Sequence, residues 1–339
     1  MGLQTIVDHY ASSSQLNQVL QKLKPERNQF QISNLVGSSL SFLISESFKK
    51  SGAVIGLSGG IDSAVTASLC KNALGEEKVL GIILPEKESD SESEIHARKF
   101  AENLNIRTET VEITQILETF GVYEKKESII KEKFPNFNSN CKYRMVVPSN
   151  IENVGIPFLE ILDEKNILHK LKISSSEFLT ITAATSIKHR VRMTMLYYFA
   201  EKNNFAVIGT TNKSEYLQGY FVKYGDGGSD IEPIVNLYKS QVYQLGKILK
   251  VSEEIISKDA SPDVWSFSTS DKEFFYSVPY DLVDLILYAR EKKLSNREIQ
   301  ENSNLSVEEI EKLVYLQNQK ERKSQHMREI PHSWKSNFT

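Results

Sequence analysis

The feature that most constrains the fold is an apolar run that ends in a glycine turn and continues as a helix. Residues 53–57 read AVIGL, SGG follows at 58–60, and apolar and small residues recur at helical spacing from 62 to 74. The apolar run predicts a buried strand. Gly75 stands where a glycine commonly follows the C-terminus of a helix. We therefore predict a strand–turn–helix unit in this part of the chain.

The same alternation continues downstream. KVLGIILP at 78–85 predicts a second buried strand, residues 92–105 predict a helix, and the alternating RTETVEI at 107–113 predicts a third strand. A helix over 177–202 and a strand over 205–210 resume the pattern. Strands that alternate with helices predict the α/β class, with a doubly wound parallel sheet covered on both faces.

The pattern divides the chain into three parts. We expect N-terminal helices at 1–50, a central α/β domain at 51–275 and a helical C-terminal tail at 276–339. Residues 121–175 interrupt the central domain with weak periodicity and a middle rich in Pro and Asn. We predict an insertion or lid there. The alternative is a disordered loop, against which the apolar content of the segment argues.

Composition excludes several classes of function. The formal net charge is -3, so there is no electrostatic case for a nucleic acid or an anionic membrane as partner. Two cysteines are too few for a disulfide framework. The chain shows no secretory signal pattern and no apolar run long enough to span a membrane. We therefore expect a cytoplasmic protein.

The glycine turn has the composition of a phosphate-binding loop. Glycines let backbone N–H groups approach an anion at the N-terminus of a helix, where the helix dipole favours it. No lysine lies between Gly52 and Lys71, so the loop is not the Walker A type. The structural alternative is a tight turn with Asp62 as helix cap. The candidate phosphate ligands are Ser58, Gly59, Gly60, Asp62 and Ser63.

A second candidate region follows the strand at 205–210. Gly209 and Thr210 end this strand, and ligands of open α/β sheets gather at the ends of strands. Glu215 lies a few residues further and could bind a hard cation, with Asp62 as the other candidate ligand. Mg²⁺ takes one or two carboxylates together with phosphate oxygens.

Several stretches together resemble one family. They are LSGGIDSAV, LPEKESDSES, RVRMTMLYY, GTTNKSE, GYFVKYGDGGSDIEPI and LYKSQV. The lysine-free loop resembles the PP-loop of the ATP pyrophosphatases, which hold pyrophosphate as a leaving group. It is shared by several synthetases, whereas FVKYGDGGSDI is much more specific. The chain resembles the NAD synthetase (ammonia-ligase) family, which implies a sheet of the adenine nucleotide alpha-hydrolase-like (PP-loop) type.

The resemblance implies a role for each matching residue. The glycine loop would hold pyrophosphate, Thr210 would contact ATP, and Glu215 with Asp62 would bind Mg²⁺. Lys239 and Thr269 would neutralise and cap the phosphates, although Lys239 could equally be an exposed helix lysine. The residues implied to bind the acid substrate are Arg190, Lys223, Asp230 and His326. The family also implies a homodimer.

The implied reaction is the ATP-dependent formation of an amide. The carboxylate of deamido-NAD attacks the α-phosphorus of ATP, pyrophosphate leaves, and ammonia then displaces AMP to give NAD. The central domain would then be an ATP-binding amide-ligase domain. A glutamine-using enzyme would also need a glutaminase domain, and residues 1–50 are too few to form one. The expected nitrogen source is therefore free ammonia or a separate ammonia-supplying subunit.

The resemblance weakens on the acid-substrate side. The Asn-Ile-Gln-Ala-Arg run of the family reads Ser186, Ile187, Lys188, His189 and Arg190 in this chain. The mobile loop of the family reads PDVWSFSTSDKE at 262–273, and Met327 replaces the lysine of a His-Lys-Arg run. The loss of that lysine removes a cation that could face an anionic substrate. An amide ligase for a different carboxylate, such as a sugar acid or a natural-product acid, is therefore the main alternative.

Two alternatives belong to other classes. A PP-loop tRNA-modifying enzyme would have a basic surface or catalytic cysteines, and this chain is acidic overall with two cysteines. A non-catalytic nucleotide-binding homologue would tolerate the loss of Thr210, Glu215 or Lys239, and all three are present.

Overall fold

The computed structural model describes residues 29–147, 157–301, 303 and 305–332. The predicted helix nearest the N-terminus lies outside the described residues. The described chain begins with a helix that ends at Phe42 and continues as a π-helical segment, Leu43–Ser47. Leu40 and Ile44 of this unit are buried against the central domain, which places part of the predicted N-terminal region in the core.

The strands predicted around 53–57, 78–85, 107–113 and 205–210 are present, and further elements that were not predicted lie between them. The strands are β1 Ala53–Gly56, β2 Val79–Ile83, β3 Arg107–Thr110, β4 Lys142–Val146, β5 Phe158–Leu162, β6 Leu168–Lys172 and β7 Ala206–Ile208. The helices are α1 Gln29–Phe42, α2 Ile61–Leu74, α3 Ser91–Leu104, α4 Thr114–Thr119, α5 Val122–Lys133, α6 Ser175–Asn203, α7 Lys213–Gln218, α8 Lys239–Ile248, α9 Glu253–Ile256, α10 Tyr280–Glu291, α11 Asn296–Glu301 and α12 Val307–Ser324.

Four strands form a parallel sheet in the order β3-β2-β1-β7. Ala53 of β1 pairs with Val79 of β2 on one side and with Ala206 of β7 on the other. The chain runs outward from β1 to β3 and then returns to pair β7 with the other edge of β1. This reversal is a topological switch point, where open α/β sheets bind their ligands.

Helices cover both faces of this sheet, as predicted. Successive side chains of a strand point to opposite faces. Ile55 accordingly packs in a cluster with Val65 of α2 and Val242 of α8. Its neighbour Val54 packs in a second cluster that includes Leu196 of α6. Both clusters are fully apolar and buried, so the predicted α/β class with a doubly wound parallel sheet is confirmed.

The segment 121–175 has secondary structure of its own. It begins with α5 and continues as an antiparallel sheet in the order β4-β5-β6. Its core contains Tyr143, Leu159 and Ile161, and Trp265 from the later loop packs into the same cluster. The described part of the segment is therefore an ordered insertion, which excludes the alternative of a disordered loop for those residues.

The tail contains the predicted helices. Helices α10, α11 and α12 pack around a separate apolar cluster that includes Leu282, Ile286 and Leu313. Tyr238, immediately before α8, belongs to the same cluster and joins the tail to the central domain. Within the described residues, no helix combines the length and apolarity that crossing a membrane requires.

Candidate active site

A cavity of about 880 Å³ opens at the switch point of the sheet. Its walls come from the loops after β1 and β7, from the middle of α6 and from the C-terminal tail. The predicted site residues that line it are Ser58, Gly59, Gly60, Asp62, Ser63, Arg190, Thr210, Glu215, Lys223, Lys239 and His326. The fold thus brings together groups that are distant in sequence.

The glycine loop forms a compact turn at the start of α2. Gly59 has a φ of 76°, and a Cβ at this position would overlap the carbonyl oxygen of Ser93. The Oγ atoms of Ser58 and Ser63 lie 3.2 Å apart, and the Ser63 hydroxyl donates to the Gly60 carbonyl at 2.9 Å. Gly60 precedes the helix without a side-chain cap. The N-terminal amides of α2 therefore face the cavity in the manner of an anion site.

Asp62 does not cap its helix, contrary to the structural alternative. Its carboxylate accepts a hydrogen bond from Asn212 Nδ2 at 3.0 Å and forms an ion pair with Lys239 Nζ. Asn212 is the N-cap of α7 and forms a capping box with Glu215. This Asn-x-x-Glu pattern fixes the start of α7 and holds Glu215 beside the glycine loop.

Lys239 is a buried cation and not an exposed helix lysine. Its side chain is 2% exposed, and its Nζ lies 3.3 Å from Glu215 Oε1 in addition to its pair with Asp62. Although burial alone would lower the pKa of Lys239, the two carboxylates hold it well above its usual value. Lys239 therefore remains charged in the floor of the cavity.

The two carboxylates carry more negative charge than Lys239 balances. Burial, and after it the charge of Asp62, raises the pKa of Glu215 to about 8. Asp271 lies nearby and accepts hydrogen bonds from Tyr220 at 2.7 Å and Tyr280 at 2.8 Å. Burial raises the pKa of Asp271 as well. Three acidic side chains, Asp62, Glu215 and Asp271, thus lie close to the single cation Lys239.

Asp62 and Glu215 are suited to bind Mg²⁺. One carboxylate oxygen of each residue contacts the same Lys239 Nζ, so two hard oxygen donors converge on one point. Among residues 29–147, 157–301, 303 and 305–332, no group of three or more His, Cys, Asp and Glu side chains is placed to hold a metal. The remaining ligands of such an ion would be phosphate oxygens and water, as is usual for Mg²⁺.

The acid-substrate candidates lie between α6 and the tail. Arg190 Nε donates to the Lys223 carbonyl at 3.4 Å. Lys223 Nζ donates to the carbonyls of His326 and Glu329 at 2.8 and 2.9 Å. These contacts tie the glycine-rich segment to the end of the tail and close one wall of the cavity.

Two predicted site residues do not line this cavity. Thr269 faces a neighbouring polar cavity of about 1180 Å³, and its buried Oγ1 has no partner among the described residues. Asp230 accepts hydrogen bonds from Val207 N at 2.8 Å and from the Tyr197 hydroxyl at 2.9 Å. In this structure Asp230 fixes the end of β7 against α6.

The insertion contributes to the main cavity. Met145, Val147 and Pro157 line it together with Ser186 and Met193 of α6. Its position directly before α6 in the sequence suggests that the insertion could cover or reshape this part of the cavity, but the sequence does not identify which of its residues line the wall. This side of the cavity, which is bounded by α6, the insertion and the tail, is the acceptor half.

Sequence reasoning also missed a buried charge cluster that joins the insertion to α6. Lys188 Nζ lies 2.6 Å from Glu86 Oε1 and also pairs with Glu88, and Lys126 Nζ lies 2.5 Å from Glu88 Oε2. The Tyr123 hydroxyl donates to Glu86 at 2.6 Å. Burial, and then the charge of Lys188, lowers the pKa of Lys126 to about 8. Each residue looks like a solvated charge in sequence, so no local signal identifies the cluster.

The structure combines a parallel sheet, a lysine-free glycine loop at the switch point of that sheet and a buried lysine beside the loop. These features define an ATP-using enzyme of the PP-loop class. The family model described as NAD synthase matches residues 36–155 and 149–331. The chain belongs to the NAD synthase family.

Individual relatives agree with this assignment. An NH(3)-dependent NAD(+) synthetase from Mesorhizobium japonicum is 37% identical over 280 residues, which cover 82% of this chain and 88% of that protein. One from Thermotoga maritima is 38% identical over 273 residues, 80% of this chain and 90% of that protein. Among solved structures, NMN synthetase from Francisella tularensis is 27% identical to this chain and superposes with a TM-score of 0.64. The match covers 92% of this chain and 100% of that one.

Proposed function

We propose that the protein is an ammonia-dependent amide ligase that converts deamido-NAD to NAD with ATP. The observation that carries the proposal is the buried Lys239, which is paired with Asp62 and Glu215 beside a lysine-free phosphate loop. This arrangement suits a reaction in which pyrophosphate is the leaving group, because a fixed cation faces the place where its charge develops. Membership of the NAD synthase family supports the same reaction.

The first step forms an acyl-adenylate. The glycine loop, with the hydroxyls of Ser58 and Ser63, holds the β- and γ-phosphates of ATP, and the α-phosphorus faces the acceptor half of the cavity. The carboxylate oxygen of the acid attacks the α-phosphorus, and the bond to pyrophosphate breaks. Lys239 stabilises the negative charge that pyrophosphate gains.

Magnesium has a defined place in this scheme. Asp62 and Glu215 would hold Mg²⁺ together with phosphate oxygens, and the ion would neutralise charge on the leaving group. The protein itself contributes orientation and fixed charge.

The second step forms the amide. Ammonia attacks the acyl carbon, the bond from that carbon to AMP breaks, and the new nitrogen loses one proton. The wall formed by α6, the insertion and the tail keeps competing water from the activated acyl group. The nitrogen source is free ammonia or a separate ammonia-supplying subunit.

A second candidate substrate has specific support. The structural relative from Francisella tularensis is an NMN synthetase, and two departures of this chain, Ser186 and Met327, line the cavity. Nicotinate mononucleotide, or another carboxylic acid, would then replace deamido-NAD while the ATP chemistry stays the same.

A panel of acids tests both candidates. The enzyme is supplied with ATP, Mg²⁺ and saturating ammonium, and acid-dependent AMP, pyrophosphate and amide are measured. We expect deamido-NAD to give the highest kcat/KM. A higher value for nicotinate mononucleotide would assign that substrate instead, and no AMP with any acid would reject the ligase. Glutamine in place of ammonium tests the nitrogen source.

We also propose that the protein works as a cytoplasmic homodimer, as the family resemblance implies. The mass in solution, measured by light scattering on the purified protein, tests the assembly. A mass equal to one chain would reject it.

A further inference from the structure

Lys320 is a cation in the wall of the main cavity that the proposed reaction does not use. It lies on α12 and lines the cavity together with Tyr220 and Phe275. Its Nζ donates to the Phe275 carbonyl at 2.5 Å and lies 4.2 Å from the centroid of the Phe275 ring. The second ring beneath it is that of Tyr276, at 5.2 Å. The ammonium is thus held by a carbonyl and two aromatic faces.

Lys320 is partly exposed, and it differs from the three buried lysines in having no counter-charge. Lys126, Lys188 and Lys239 each pair with one or two carboxylates. Among the residues that the structure describes, no carboxylate lies within ion-pair distance of Lys320 Nζ. Burial accordingly lowers the pKa of Lys320 to about 7. An unpaired cation in such a place costs stability, and a bound anion would offset that cost.

Lys320 lies in the C-terminal tail, which also contributes His326 and Met327 to the cavity wall. The phosphates of ATP are assigned to the glycine loop and Lys239, which belong to other elements of the cavity wall. The Nζ of Lys223 is already used by two backbone carbonyls of the tail. Lys320 therefore supplies a cation that is available to a substrate on this side.

We propose that Lys320 binds a phosphate group of the acid substrate. The proposal rests on the proposed function, since it requires that an anionic acid occupies the acceptor half. A phosphate of ATP is the other possible source of the anion, and the kinetic comparison below separates the two.

Several other charged or titratable groups surround Lys320 and could contribute to its behaviour. Those on the elements packed against it, or lining the same part of the cavity, are Tyr220, Lys223, Asp271, Tyr276, Tyr280, Glu321 and His326. Asp271 is already bonded to the hydroxyls of Tyr220 and Tyr280. It is therefore not the missing counter-charge.

The test compares Lys320→Met with Lys320→Arg. Methionine keeps the apolar stem against Phe275 and removes the charge, whereas arginine keeps the charge. We expect Lys320→Met to raise the KM for deamido-NAD about 10- to 100-fold, because a charged hydrogen bond is lost, and to leave the KM for ATP unchanged. Lys320→Arg recovers most of the affinity. Lys323→Met, an exposed lysine on the same helix, is the matched control and stays at the wild-type value.

A second substrate identifies the group that Lys320 contacts. Nicotinate riboside has the carboxylate but no phosphate, so its KM should be the same for wild type and Lys320→Met. Binding of deamido-NAD without ATP, measured by calorimetry, should weaken by the same factor as KM. An unchanged KM for deamido-NAD, a rise in the KM for ATP instead, or an equal effect on nicotinate riboside would overturn the proposal.

Failure of the proposed function would look different. If wild type does not turn over deamido-NAD but releases AMP with another phosphate-bearing acid, the ratio of KM values between wild type and Lys320→Met is measured with that acid. A ratio near one then rejects the role of Lys320, and a large ratio supports it with the new substrate.

Discussion

At the residue scale, Lys239 has the environment on which the proposed chemistry depends. It is fully enclosed, its partners are Asp62 and Glu215, and it lies at the N-terminus of α8 beside the glycine loop. A lysine in this position acts as a fixed charge, because burial and two partners leave it little freedom to move. Its contribution should appear in the transition state more than in ATP binding.

Lys239→Met should lower kcat for pyrophosphate release by at least about 100-fold, since the developing charge loses its fixed partner. The measurement is acid-dependent pyrophosphate release at saturating ATP. Lys247→Met, an exposed lysine on the same helix, serves as the control and should keep normal turnover. Turnover within a few-fold of wild type in Lys239→Met would exclude Lys239 from the reaction.

Gly59 offers a second residue-scale prediction. Gly59 and Gly75 both have positive φ, 76° and 84°, but a Cβ would meet the Ser93 backbone only at Gly59 and would meet nothing at Gly75. Gly75, with a ψ of 156°, lies in a backbone region that is essentially restricted to glycine, so Gly75→Ala should cost about 1–3 kcal/mol of conformational strain. Gly59→Ala should cost more and should also weaken ATP binding. Chemical denaturation and nucleotide titration of both variants measure this difference; equal costs would show that overlap with Ser93 is unimportant.

At the element scale, the charge cluster joins α5 of the insertion to α6 and to the loop after β2. Glu88 contacts both Lys126 and Lys188, so it is the carboxylate whose removal leaves most charge unpaired. Although burial alone would raise its pKa, the two lysines hold the pKa of Glu88 below its usual value. The cluster thus positions the insertion against the helix that carries Arg190.

Glu88→Gln should lower the free energy of unfolding by about 3–5 kcal/mol, because two buried lysines lose their shared partner. The control is Glu92→Gln, an exposed residue at the start of α3, which should change stability by less than about 0.5 kcal/mol. Urea denaturation measures both. A cost below about 1 kcal/mol for Glu88→Gln would show that the cluster does not hold the insertion in place.

Elements with a strong local signal were predictable from sequence, and those fixed by distant partners were not. The strands at Ala53–Gly56 and Val79–Ile83 are apolar runs bounded by glycine or polar residues, so periodicity identifies them. Strand β6 reads LHKLK and alternates exposed with half-buried residues, which leaves little to distinguish it from a loop. The paired lysines of the charge cluster come from positions 126 and 188, and only the fold brings them together.

The candidate site shows the same division. The glycine loop and Glu215 are local motifs, and the structure places both at the cavity. Lys320 belongs to no motif. It is notable because, among the described residues, no carboxylate lies within ion-pair distance of its Nζ, and sequence alone does not show this.

At the scale of the whole molecule, Lys320 should make stability depend on pH. Its native pKa of about 7 lies below its ordinary value of 10.5, so between these values the unfolded chain binds a proton that the native protein does not. The free energy of unfolding therefore rises with pH between about pH 7 and pH 10.5 through this group. Lys320→Met removes the effect.

Lys320→Met should consequently be more stable than wild type below pH 7, and the difference should disappear as the pH approaches 10.5. Urea denaturation of both proteins at several pH values measures it. A variant that is less stable than wild type at pH 6 would show that the lysine has a structural role. Saturating deamido-NAD should protect wild type more than the variant.

The contact of Lys223 with the carbonyls of His326 and Glu329 has a consequence for synthesis on the ribosome. The phosphate loop, β7 and α8 are all made before the tail, so an unfinished chain can assemble the nucleotide half of the cavity. The wall that is proposed to bind the acid is complete only after residues 320–329 have left the ribosome and packed against the glycine-rich segment. Under the proposed function, a nascent chain would thus be able to bind ATP before it can bind the acid.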